Sequence, residues 1–428
     1  MITPPVDRLY IAGGRLICPA TGLDRVGTLV VEGGHIHGFA DAPATNGRTL
    51  DARGCVVAPG FIDLHCDLAT PGHPHREGLE TGIAAALEGG FTTLCLSPAT
   101  DPVLDQPDAV AGLIAASPHL RLRPIAALTL GLAGERLSEM HRLRAAGAIA
   151  VGDGGRALRD SGLLRRALQY AQAAGLPVCL FPEDRDLKGK GVMHEGPVAT
   201  RLGLAGIPAV AEVLATTRAC LLAELTGAHI HLGPISTGAA AAVVALARGR
   251  GVSISASTTA AHLHLTDADI ALRFDSNLRV RPPLRPAADV AALRAAVADG
   301  TVQAIGSGHE PRSPAEKSEA FTDAAPGMAA LETTLGLVLL LVEAGLLDLP
   351  TAVARLTHGP AAALGLEARL APGAPADVVV FDPTTRRRVD GGKSRARNTP
   401  FLGRALPGRV LATLVGGHTV FTSECAPC

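Results

Sequence analysis

The sequence predicts an α/β protein: a (β/α)8 barrel over residues 58–365 and a small β-sandwich lobe formed jointly by residues 1–57 and 366–428. Three observations carry this. Eight short apolar runs alternate with Ala/Leu/Arg-rich helical stretches between residues 55 and 305, and such alternation builds parallel βαβ units, eight of which close a barrel. The two ends have a different texture, short runs punctuated by Gly, as in LYIAGGRLIC and GTLVVEGGHIHGFA near the start and ADVVVFDP and RVLATLVGGHTVF near the end; these read as hairpins of one β-rich lobe. A chain of 428 residues exceeds a domain of about 150 residues but suits a barrel with an appendage.

The strand candidates are Cys55–Leu64, Thr92–Leu96, Pro124–Leu130, Ala148–Val151, Pro177–Phe181, His229–Leu232, Val252–Ala256 and Val302–Ile305. Their near-continuous apolar character suits parallel strands covered on both faces. Stretches 160–174, 208–226 and 287–299 supply covering helices. The most apolar segment, Leu331–Leu349, is broken by Glu332, Glu343 and Asp348, so it predicts a buried helix and not a membrane span. RSPAEKSEAFTDAAP (312–326) is the candidate for a long mobile loop. In a barrel, chemistry belongs at the C-terminal ends of the strands.

Composition narrows the function. Lys+Arg number 39 against 40 Asp+Glu, giving a net charge of −1 with no run of one sign, which argues against nucleic acid as a partner. Charged residues are 18% and hydrophobic residues 47%, far from the disordered regime. The first twenty residues lack a basic start and an apolar stretch, so a cytoplasmic protein is expected. Its eight cysteines are expected to be reduced, and Cys425-Ala-Pro-Cys428 is a lone CxxC, for which chance is the better reading.

At PGFIDLH (59–65) the chain resembles the amidohydrolase superfamily, whose first barrel strand ends in a pair of metal-binding histidines. GGFTTLCLSPATDPVLD (89–105), GDGG (152–155), LFPEDRDL (180–187), HLGPISTGAA (231–240), HLHLTD (262–267), RPPLR (281–285), SGHEP (307–311) and APGMAALET (325–333) narrow the resemblance to the class I dihydroorotases over essentially the whole chain. The resemblance implies a zinc hydrolase site, yet most of its positions are replaced. The paired histidines become His65 and Asp67, and the bridging acid is kept as Asp153. The ligand histidines after the fifth and sixth strands align with Phe181 and Pro234. The last-strand aspartate, both ligand and general base, aligns with Gly308. The substrate-clamping Arg and Asn become Ala69 and Ala99, the Asn of the family's NPPLR becomes Arg281, and the loop histidine is kept as His309.

A metal hydrolase needs three or more protein ligands and a base. On that ground no cofactor is expected, the alternative being one weakly bound Zn. The resemblance is closest to inactive dihydroorotase-like chains that associate with aspartate carbamoyltransferase, and it implies a non-catalytic subunit of that hetero-oligomer in de novo pyrimidine biosynthesis. The competing reading is a metal-dependent cyclic-amide hydrolase rebuilt on His65, Asp67, Asp153 and His73 or His75. A third is a regulatory ligand site in the emptied mouth, against which Ala69 and Ala99 argue. Among the remaining histidines, His35 and His37 read as surface residues and His231 and His262 as buried hydrogen-bonding groups, while His229 and His264 have no assignable role. Glu183 and Asp184, which match the family's acid pair after strand 5, read as salt-bridged or loop-capping residues. None of the four lysines, Lys188, Lys190, Lys317 and Lys393, fits the bridging lysine of hydantoinases.

Overall fold

A computed structural model describes residues 8–43 and 47–423. Eight strands, all parallel, lie side by side in chain order: β1 (Phe61–Cys66), β2 (Phe91–Leu96), β3 (Arg121–Ala127), β4 (Ala150–Gly152), β5 (Val178–Leu180), β6 (Ile230–Leu232), β7 (Ile254–Thr259) and β8 (Ala304–Gly306). The two ends of this sheet meet where Cys66 bridges to His309, and the Asp67 N–H donates to the His309 carbonyl at 2.8 Å. The barrel is thus nearly closed. Every expected strand is present, but the run 55–64 is two strands, Val56–Pro59 and β1, parted at Gly60, where a Cβ would collide with Thr92.

The covering helices follow from their sequence. In Ser161–Ala174 the buried positions Leu163, Leu164, Ala167, Leu168, Ala171 and Ala174 recur at helical spacing. The Asp160 carboxylate caps the first turn by accepting the Gly162 and Leu163 N–H groups, and Gly175 at φ 66° ends the helix in the left-handed conformation. Ala209–Thr226 and Ala287–Asp299 match the expected helices closely. The apolar segment 331–349 gives the buried helix Thr334–Glu343, with Asp348 capping a further helix at Leu349.

One expectation is corrected. Segment 312–326 is docked, not free: Ser313 and Glu316 form a capping box on the helix Pro314–Ser318, and Lys317 Nζ donates to the Ser276 carbonyl at 2.9 Å. Arg312, Phe321 and Ala324 are buried. A Ser-Pro-Ala-Glu run is itself a helix-start signal, and polarity of composition obscured it.

Strands from both ends of the chain hydrogen-bond into one eight-stranded sheet, which runs from His418–Thr422 through Ala405–Val415, Val378–Arg388, Val56–Pro59, Arg8–Cys18 and Leu23–Glu32 to His35–Ala40, with Arg48–Asp51 pairing alongside Arg8–Cys18. It has its own core, including Ile11, Leu29, Ile36, Val57 and Val380. Phe381 of this sheet lies 5.9 Å from Phe61 of β1, which meets Phe91 of β2 edge-on at the same separation. Buried aromatic pairs of this kind add about 0.5–1.5 kcal/mol beyond their area, and here they fix the sheet against the barrel. Cys18, Cys55, Cys66, Cys95, Cys179 and Cys220 are free thiols. Cys425 and Cys428 lie outside the described residues. Among those residues, no helix is long and apolar enough to cross a membrane.

Candidate functional site: the barrel mouth

A cavity of about 190 Å³ opens at the C-terminal end of the strands, lined among others by His65, Asp67, Asp153, Phe181, Arg281 and His309. Residues i and i+2 of a strand share a face, which turns Asp63 and His65 of β1 inward. The Asp63 carboxylate is fully buried and accepts the Ser307 N–H at 2.9 Å and the His65 N–H at 3.1 Å, with the Ser307 hydroxyl donating to its second oxygen. It ties β1 to the loop after β8.

His65 Nε2 lies 2.5 Å from Ser257 Oγ, and the same hydroxyl lies 2.8 Å from His231 Nε2, whose ring packs on His65 with centroids 5.7 Å apart. A serine hydroxyl carries one proton and can accept more than one, so at least one of the two imidazoles donates to Oγ. Burial holds the His65 pKa down at about 4 and pushes His231 well below its usual value, so both rings are neutral at pH 7. The nitrogen that would have to face a metal is committed to Ser257.

The two carboxylates serve backbone. Asp67 accepts the Ala69 N–H at 2.7 Å, and burial raises its pKa. Asp153 accepts the Phe181 N–H at 3.1 Å and the Gly155 N–H at 3.1 Å, and burial pushes it up to about 7. Phe181, where the family has a ligand, carries the Arg281 guanidinium over its ring at 5.0 Å. Arg281 Nη2 also donates to the Gly155 carbonyl at 2.8 Å and to Glu183 at 3.0 Å, and Lys188 reaches the same carboxylate at 3.3 Å. Asp184 caps the short helix after β5. Stacking and ion pairing therefore fill the space of the lost ligands.

Gly308 sits at φ 66°, and a Cβ there would approach Thr259 Cγ2 to 2.7 Å. Pro234 and Ala69 are buried, and Ala99 lies on the cavity wall. His309 is buried, with Nδ1 accepting the Ala330 N–H at 3.1 Å. Its proton is therefore on Nε2, which points to the buried Glu77 carboxylate 3.8 Å away. Glu77 also receives the Thr81 and Ser394 hydroxyls and the Arg395 N–H at 3.0 Å. Sequence reasoning missed Glu77, a lone acid in a loop whose partners other than Thr81 lie more than 200 positions away.

The remaining histidines are dispersed. His35 and His37 are exposed. His262 is buried between Thr259 and the Pro282 carbonyl, His229 bridges Ser253 and the Ala363 carbonyl, and His264 bonds the Leu337 carbonyl at 2.7 Å. His73 and His75 face each other with centroids 5.8 Å apart.

Residues 54–240 match the Dihydro-orotase-like family, and residues 205–420 match the Amidohydrolase family. The chain is 44% identical to a dihydroorotase of Anaeromyxobacter dehalogenans over 98% of its own length and 99% of that protein's. This chain belongs to the dihydroorotase-like amidohydrolases. It is also 44% identical to a dihydroorotase-like protein of Pseudomonas aeruginosa, over 96% of this chain and 98% of that one. In fold it is similar to the L-hydantoinase of Arthrobacter aurescens, with a TM-score of 0.85 at 22% identity over 99% of this chain and 98% of that one.

Membership corrects the expectation that no cofactor, or at most one weak Zn, is to be looked for. Dihydroorotase-like amidohydrolases are typically metal-dependent, and this chain belongs to that family. The residues at the mouth nevertheless do not fit the family's metal cluster. Among the described residues no three His, Cys, Asp or Glu side chains converge on one point. His73 and His75 are no exception, so they do not complete a rebuilt set with His65, Asp67 and Asp153.

Proposed function

We propose that this chain is a non-catalytic dihydroorotase-like subunit that supports assembly or activity of aspartate carbamoyltransferase in de novo pyrimidine biosynthesis. The observation that carries it is the occupation of the mouth. Phe181 under Arg281 stands where a ligand histidine would be, and Asp153 caps the backbone of that same turn. With Gly308 at the position of the base, nothing at β8 can take a proton from an attacking water. A barrel that keeps its scaffold without this machinery retains value as a surface.

A second reading, a metal-dependent cyclic-amide hydrolase interconverting dihydroorotate and carbamoyl aspartate, has its own support. The relatives bearing the name dihydroorotase at 44% identity favour it over the scaffold reading, whereas the side chains at the mouth favour the scaffold. One experiment separates them. The full chain is purified alone and together with the aspartate carbamoyltransferase of its own organism, and both samples are assayed for dihydroorotate hydrolysis with zinc supplied. The scaffold reading expects a stable joint complex by light scattering and no turnover by the chain alone. Zinc-dependent turnover by the chain alone, or two species that never associate at micromolar concentration, overturns it.

A further inference from the structure

Charge that balances over the whole chain does not balance locally. Between Arg386 and Arg404 there are seven Lys or Arg residues and one acid, Asp390. Arg386 and Arg387 are spent on Glu343 and Glu88. The other five, Arg388, Lys393, Arg395, Arg397 and Arg404, are exposed and make no ion pair among the described residues. Like charges this close in the chain repel, and the fold nevertheless holds them together. The loop 389–404 is shut at its base, where the Gly403 N–H donates to the Val389 carbonyl at 2.7 Å and the Val389 N–H to the Arg404 carbonyl at 2.9 Å.

From Lys393 to Asn398 burial alternates residue by residue: Ser394, Ala396 and Asn398 are buried, whereas Lys393, Arg395 and Arg397 are exposed. Period two marks an extended segment. Its inner side is fastened without using a single cation. Glu332 accepts the Lys393 and Ser394 N–H groups, and Glu77 accepts the Ser394 hydroxyl and the Arg395 N–H. Asn398 Nδ2 donates to the Glu310 carbonyl at 3.1 Å, and its Oδ1 accepts the Arg312 N–H at 3.1 Å. On the outer side two guanidinium groups rest on carbonyls, Arg395 on that of Pro74 at 3.1 Å and Arg397 on those of Gly391 and Ser394. A carbonyl orients a guanidinium without neutralising it, and each fork keeps further donors for another acceptor. The loop thus presents three cations in a row on a tethered backbone, about 6.6 Å apart at a rise of about 3.3 Å per residue.

The row dictates its complement. An extended peptide has the same rise, so carboxylates at every second position of such a segment meet Lys393, Arg395 and Arg397 in register, and an arginine fork matches a carboxylate with two hydrogen bonds. Binders of single-stranded nucleic acid add aromatic platforms for the bases. The one aromatic residue of this loop, Phe401, is buried beneath the Arg404 guanidinium, which lies 5.4 Å from its ring centre. Leu402 of the same loop, 46% exposed, offers a partner an apolar contact instead. We propose that the loop 389–404 is a docking site for an extended segment of a partner protein that carries acidic residues at alternate positions, independently of what the barrel mouth does. Exposed ion pairs are individually weak, so the row sets encounter and register more than affinity.

The full chain is titrated into two fluorescein-labelled peptides of equal composition, Glu-Ser-Glu-Ser-Glu-Leu and Ser-Ser-Glu-Glu-Glu-Leu, and polarisation is read. At about 20 mM salt the alternating peptide is expected to bind about fivefold tighter than the blocked one, and about 200 mM salt to weaken it roughly tenfold. Lys393→Glu/Arg395→Glu/Arg397→Glu is expected to remove binding with an unchanged thermal melt. Should acids beside Glu77 and Glu332 lower the melt, Lys393→Gln/Arg395→Gln/Arg397→Gln takes its place. Arg165→Glu/Arg166→Glu/Arg201→Glu, the same change of net charge at exposed sites on other helices, is expected to leave binding within twofold. No polarisation change up to about 200 µM chain, equal affinity for the two peptides, or equal weakening by the two sets of charge reversals overturns the proposal. A six-residue oligothymidylate that binds more tightly than the alternating peptide would assign the row to nucleic acid and overturn it too.

Discussion

Replacing Glu77 by Ala tests whether a buried carboxylate holds the chain's late segment against the loop after β1. Glu77 is fully buried and accepts from the Ser394 hydroxyl, the Arg395 N–H and the Thr81 hydroxyl, with His309 Nε2 at 3.8 Å. In the Ala variant Thr81 keeps an alternative acceptor, the Gly78 carbonyl at 3.1 Å. Ser394 and Arg395 keep none. Each stranded donor costs about 1–3 kcal/mol, and relief from burying the carboxylate returns part of this, so the expected loss is about 2–4 kcal/mol. It is local before it is global, because the neighbouring Lys393 and Ser394 N–H groups are held separately by Glu332.

Lys393, Arg395 and Arg397 make that segment its own reporter, since trypsin can cut there only after the backbone leaves Glu77 and Glu332. Cleavage is expected to accelerate roughly 30- to 1,000-fold, one decade per about 1.4 kcal/mol of opening free energy. Glu77→Gln retains an oxygen for the Arg395 N–H and should lose less than half as much. Cleavage within threefold of wild type in the Ala variant, together with an unchanged urea midpoint, would refute the reasoning.

The barrel was legible because its evidence is periodic and local. Eight apolar runs separated by helix-length stretches admit few other folds, and the ends of Ser161–Ala174 are written in Asp160 and Gly175. What was not legible depends on contacts between distant positions. The break at Gly60 is enforced by Thr92, and the docking of 312–326 depends on carbonyls near Ser276. At the site, the identities of His65, Asp153, Phe181 and Gly308 were readable, but not their present use. That Asp153 caps the turn bearing Phe181, or that His65 and His231 meet at one serine hydroxyl, follows only from geometry. Glu77 and Glu212 gave no signal, since a single buried acid looks like any surface acid until its partners are in place.

Four sites yield further expectations. Gly308→Asp puts a side chain on a left-handed backbone and against Thr259 at 2.7 Å, which should cost about 1–3 kcal/mol in urea unfolding and yield no dihydroorotate turnover; an unchanged midpoint would disprove the strain. Burial beside Glu88 pushes Glu332 from 4.5 up to about 7, so the folded state holds a proton that the unfolded chain releases between those values, and stability should fall as pH rises from 4.5 to 7. Glu332→Gln keeps the acceptor for Lys393 and should remove that slope, gaining about 1–2 kcal/mol at pH 8 and nothing at pH 4; parallel pH profiles for the two proteins would count against it. The last pair is Glu212 with Arg285, each 2% exposed and 3.5 Å apart. The carboxylate has four other donors, from the backbone and hydroxyls of Ser236 and Thr237, whereas Arg285 loses the one carboxylate it pairs with among the described residues if Glu212 goes. Removing one side of a buried pair is most costly when it strands the other, so Glu212→Ala should cost about 3–5 kcal/mol and Arg285→Leu about 1–2 kcal/mol. Equal costs for the two, measured by urea unfolding at pH 7, would show that the ion pair and not the backbone of the turn after β6 is what Glu212 is there to hold.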